Sequence, residues 1–129
     1  MANPNIVNVA TILGGNAGWN LSTGLTTTLL EVTAEYVLKI NRIVCANVHG
    51  SAAANLNLYV GGMGSGTTGI STTGADAAVY LAKVITVPYQ SSLVVSDTPI
   101  YLMEGDFLKG GSSAASALDL YISYETLID

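Results

Sequence analysis

The stretch Ala117–Leu127 constrains this chain most. Leu118, Leu120, Ile122 and Tyr124 point one way on a period of two, while Asp119, Ser123 and Glu125 point the other. A β-strand sends successive side chains to opposite faces, so the pattern describes a strand with one buried and one wetted side. The same period returns in short runs rich in Val, Ile, Leu, Thr and Tyr, bounded by Gly, Ser, Asn, Asp or Pro.

The first run is Ile6–Leu13, closed by the turn-forming Gly14-Gly15-Asn16 and a loop through Gly18-Trp19-Asn20. A second covers Thr26–Val32. The third, Tyr36–Val48, is the longest, with apolar Leu38, Ile40, Val44, Ala46 and Val48 at even positions. Arg42 interrupts that set, which predicts a bend or bulge near Asn41-Arg42. Asn55–Val60 follows, with Leu56, Leu58 and Val60 on one face. Gly61–Gly74 is a Gly/Ser/Thr stretch with only Met63 and Ile70 to anchor it, too long and polar for a tight hairpin. Ala75-Asp76-Ala77-Ala78 could open a helix, but Val79, Leu81, Ile85 and Val87 keep strand parity up to Pro88. Leu93–Val95, Ile100–Leu102 and Phe107–Lys109 complete the set before the final strand.

Eight or nine short strands and no convincing amphipathic helix predict one all-β domain over residues 1–129, a two-sheet antiparallel β-sandwich. A jelly roll is the expected topology, with another sandwich order as the alternative. Residues 1–13 are available as an arm or edge strand. The expected core contains Leu38, Ile40, Val44, Leu56, Leu58, Leu118, Leu120 and Ile122.

Half of the residues are hydrophobic and only 10% are charged, against roughly 25% charged in a typical soluble domain. Freely diffusing monomers keep a charged, patch-free surface, so this composition implies either a membrane or a surface covered by other protein. A spanning helix needs about 20 consecutive apolar residues, and the apolar runs here are all broken within a few. The start, Met1-Ala2-Asn3-Pro4-Asn5, lacks a basic region of the kind that opens a signal peptide, so a chain made in a cytoplasm is expected. Protein cover is the better explanation. Nucleic acid is disfavoured as a partner, because the net charge is −5 and the four cations Lys39, Arg42, Lys83 and Lys109 are scattered.

No motif outweighs its bland reading. Gly64-Ser65-Gly66-Thr67-Thr68-Gly69 spells a dinucleotide fingerprint, but that chemistry needs a helix to start at once, aiming N–H groups at a pyrophosphate. Ile70-Ser71-Thr72-Thr73-Gly74 starts none, so no cofactor is expected. Cys45 and His49 are the only members of their types. Four residues apart on one extended strand, they stand about 13 Å apart, beyond proton-transfer reach. Glu104-Gly105-Asp106 is read as a tight turn rather than an acid/base pair or cation site. No catalytic or metal-ligating group is expected, and the chain is read as a non-enzyme. Trp19 could cap the sandwich, contact a protein or stack on a glycan. With Met63, Ile70 and Tyr89 it forms the set of candidate partner contacts.

Four stretches carry a family resemblance. The opening Met1–Ile12 resembles the start of small virion structural proteins of tailed bacteriophages, particularly those infecting cyanobacteria. So do Lys39-Ile40-Asn41-Arg42-Ile43-Val44-Cys45-Ala46-Asn47-Val48, Pro99-Ile100-Tyr101-Leu102-Met103-Glu104-Gly105-Asp106 and the closing Ile122-Ser123-Tyr124-Glu125. The likeness spans nearly the whole chain in strand and turn patterns and includes no catalytic residue. Gly61–Gly74 and Gly110–Ser116 depart from it by being longer and richer in Gly and Ser.

The resemblance implies a component of the virion. It would be either a capsid decoration (cement) protein bound to the major capsid protein, or a tail, neck or fibre-associated protein, with attachment to a host-surface glycan as one version. Self-association is expected from the scarcity of charge and from sheet edges that need cover. A homotrimer comes first, with a dimer or hexamer behind it.

Overall fold

The structure, a computed structural model, describes residues 11–33, 35–62, 70 and 79–128. Nine strands make up the regular structure of these residues. They are β1 (Thr11–Asn20), β2 (Thr28–Glu31), β3 (Val37–Asn47), β4 (Ala54–Gly61), β5 (Val79–Val87), β6 (Ser92–Ser96), β7 (Ile100–Leu102), β8 (Phe107–Ser112) and β9 (Leu118–Ile128). The first sheet runs β1-β9-β3-β6, with β7 also on β3; the second runs β2-β8-β4-β5. Every pairing is antiparallel. The all-β, two-sheet architecture expected from the alternation is present.

The pairing is nested. β1 lies on β9, β2 on β8, β3 on β6 and β7, and β4 on β5. Strand β3 offers one edge to two short strands, with Leu38–Ile40 facing β7 and Ile43–Ala46 facing β6.

The core fills the space between the inner faces. Leu38, Leu56, Leu58, Leu118, Leu120 and Ile122 are buried there as their spacing predicts, and Leu102 and Leu108 join them from β7 and β8. Val44 does not. The expected irregularity at Asn41-Arg42 is present, and β3 slips by one residue against β9 between Ile40 and Arg42. One extra residue inverts side-chain parity. Ile43 and Cys45 therefore turn inward, fully buried, while half-buried Val44 and Ala46 share the outer face with Arg42.

A second difference concerns the glycine-rich start. Gly14-Gly15-Asn16 and Gly18-Trp19-Asn20 do not form a turn and a loop; they are the body of β1, in unbroken register with β9. Tyr124 lies across Gly15, where an added Cβ would come within 2.8 Å of the ring. Tyr121 stands opposite Gly18. The cross-strand ring of Tyr124 thus covers Gly15 on an edge strand and offsets its weak strand propensity, while Gly18 stays open. Residues 6–10 of the first predicted run lie outside the described residues.

Buried polar groups tie the connections down. Asn47 at the end of β3 donates from Nδ2 to the carbonyls of Ala52 (3.0 Å) and Val87 (2.8 Å), and its Oδ1 accepts the N–H of His49. Between β7 and β8, Glu104-Gly105-Asp106 is the predicted turn, with Gly105 at φ 90° and the Asp106 N–H donating to Met103 O. Gly105 and Asp106 also exchange backbone bonds with Val32, joining this turn to the end of β2.

The bulge makes a measurable distinction. Ile43→Ala is expected to cost about 2–5 kcal/mol, as for a buried aliphatic side chain, and Val44→Ala less than about 1 kcal/mol. Urea denaturation of the two variants reads the difference; a larger loss for Val44→Ala than for Ile43→Ala would mean that β3 runs without the slip.

Candidate functional site

The residues that could carry chemistry are held apart or already engaged. Cys45 is fully buried on the inner face of β3. Burial, and secondarily the negative charge of Asp119, pushes its thiol up to about 11. A thiol of this kind is not a nucleophile near neutral pH. His49 is exposed beyond the end of the strand, where its Nδ1 accepts the N–H groups of Ser51 (3.1 Å) and Ala52 (3.0 Å). This imidazole shapes the β3–β4 connection.

Asp106 is the one buried carboxylate among the described residues. Its Oδ2 accepts the N–H of Met103 at 2.9 Å, and the N–H of Ile70 also bonds the carboxylate. Gly62 abuts it so closely that a Cβ there would overlap Oδ1. Desolvation raises its pKa above the ordinary 3.8, and the two backbone N–H bonds pull the other way without cancelling that effect. The group works as a clasp that holds Ile70 of the long β4–β5 connection against the β7–β8 turn. Among the described residues no three His, Cys, Asp or Glu side chains gather as metal ligands.

The four candidate contact residues do not converge. Trp19, expected in a loop, is on β1 and packs half-buried against the core. Ile70 is half-buried and also packs on the core. Tyr89 stands exposed in the turn between β5 and β6. Met63 and the Gly64–Gly69 motif lie outside the described residues.

A different surface comes together instead. On the outer face of the first sheet the register aligns Gly18, Tyr121, Val44 and Val94 in one row across β1, β9, β3 and β6. Tyr121 and Val94 are 47% and 45% exposed. Beside the row lies an open groove of about 420 Å³, lined by Gly18, Asn20, Val44, Ala46, Asp119 and Tyr121 among others. Asn20 Nδ2 donates to Asp119 Oδ1 at 2.8 Å along its rim.

The second sheet's outer face is covered differently. Tyr59 and Tyr80 pack with ring centroids 5.3 Å apart, Lys83 lies over Tyr80 at 5.0 Å, and Lys109 lies over Phe107 at 4.3 Å. Two of the chain's four cations thus cover its own aromatics.

Sequence reasoning missed the row because it depends on the slip in β3 and on partners distant in sequence. Its one legible sign was Tyr121, a large aromatic on the polar side of the final strand. No protein-family model matches the chain, and no curated protein does.

Two outcomes follow. Cys45 should resist an aromatic disulfide reagent in the native protein at pH 8 and react fully in denaturant; fast native labelling would contradict its burial. For Asp106 the folded pKa lies above the unfolded one, so its contribution to stability is whole below about 3.8 and is lost as pH rises through the folded value. Asp106→Asn removes this titration. Wild-type stability relative to the variant should therefore fall between pH 3 and pH 7, as read from urea midpoints.

Proposed function

We propose that this chain is a structural component of a tailed-phage virion, a capsid decoration or cement protein that binds the outer capsid as a homo-oligomer and stabilises it. The observation that carries the reading is the solvent-facing apolar row on the first sheet. It is surface of the kind that monomers avoid and assemblies cover. The resemblance of the opening, the central strand and the Pro99–Asp106 segment to phage virion proteins agrees with it.

We take the topology to be a jelly roll. Counting β6 and β7 as one strand interrupted at Asp97–Pro99 leaves eight strands. Their pairing, first with last and so on inward, is that of one long hairpin folded over and rolled into two four-stranded sheets.

The role proposed is adhesion without catalysis. A buried, protonated thiol, a histidine spent on a loop and a carboxylate clasping backbone all support it. Apolar and hydrogen-bonded contacts spread over many copies would hold neighbouring capsid subunits together against internal pressure. No cofactor, membrane or nucleic acid enters this role.

Quantitative mass spectrometry of purified virions tests it. Hundreds of copies per particle are expected of a capsid protein. A handful would move the chain to the tail, neck or fibre, and none would defeat the virion reading.

A further inference from the structure

We infer that the outer face of the first sheet is a two-fold contact between copies of this chain, centred on the row Gly18–Tyr121–Val44–Val94. The inference deepens the proposed self-association and rests on that part of the reading.

The two sheets dress their outer faces differently, although both leave apolar side chains about half exposed: Tyr80, Val79 and Val84 on β5 are about as open as Tyr121 on β9. On the second, lysine stems and ammonium groups lie over the aromatic rings. On the first, Tyr121, Tyr101 and Val94 are all nearly half exposed. The remaining cations, Lys39 and Arg42, stand on this face to one side of the row. Arg42 pairs in register with Ser123, one same-face step from Val44. Asp119 pairs with Ala46, one step the other way. Same-face neighbours on a strand are about 7 Å apart. Glu125 pairs in register with Lys39 on the same face, so the net positive charge at that end is left to Arg42, and the face reads positive, apolar, negative along the strand direction.

That order is self-complementary. A two-fold axis lying along the row turns a second copy face down and reverses the strand direction. Arg42 of each copy then comes over the Ala46–Asp119 end of the other, so two opposite-charge contacts flank a shared apolar centre. The strands of the two copies run nearly aligned, the arrangement in which sheets pack face to face about 10 Å apart. The groove at Gly18 leaves room beside each Tyr121 for the ring that faces it. An isologous contact of this kind requires one patch to complement itself, and the charge order here does so. A two-fold contact gives an even number of subunits, so it favours the dimer or hexamer over the trimer that the sequence placed first.

Analytical ultracentrifugation of the full chain from nanomolar to micromolar concentration tests this at low and high salt. The wild type should form an even-numbered oligomer. Arg42→Glu should weaken association about tenfold or more, as should Asp119→Arg, and both changes in one chain should restore it. Thermal unfolding of each variant checks that it folds, and the restored double variant excludes simple damage. A wild-type trimer, single variants that associate normally, or a double variant that stays dissociated would each overturn the contact. Of these, normal association of the single variants overturns the face alone and leaves self-association standing. A wild type that stays monomeric at micromolar concentration defeats both, whereas the copy number in virions reports on the capsid reading independently.

Discussion

Strand β9 holds the first sheet together through backbone hydrogen bonds on both of its edges. It takes β1 on one side and β3 on the other, and its inner side chains Leu118, Leu120 and Ile122 are all buried. A strand paired on both sides satisfies its polar backbone within the sheet. This frees its inner face to be wholly apolar and leaves its outer residues, Asp119 to Glu125, to decide what the molecule presents. The core, the groove and the exposed row all descend from that one placement.

Legibility in the sequence followed how local the cause was. The burial of Leu118, Leu120, Ile122, Leu56 and Leu58 could be read because strand parity is set by neighbours two residues away. The turn at Gly105 and the stop at Pro88 could be read for the same reason. Val44 could not be placed: Arg42 announced an irregularity, but whether it reverses parity depends on the opposing strand. The strand at Gly14–Asn20 was hidden because glycine ordinarily marks turns, and its partner strand, with Tyr124 over Gly15, lies far along the chain. The outer row was the least legible feature, since it draws on four strands from distant parts of the chain.

The few charged residues are deployed unevenly. Asp106 is given to an internal clasp, and Lys83 and Lys109 lie over rings on the second sheet. Arg42 and Asp119 flank the apolar row.

The nested pairing has a consequence in time. Strand β1 can pair with β9 only after nearly the whole chain exists, and β2 must likewise wait for β8. Among the described residues the only pair of strands adjacent in chain order is β4 with β5. Contacts this distant carry a loop-closure cost before they contribute stability, which slows folding. During synthesis the early segments emerge with their apolar faces unmatched and their partners not yet made. Completion of the first sheet thus waits for β9, and the glycines of β1, poor at forming strand alone, leave that segment without a strong strand preference of its own.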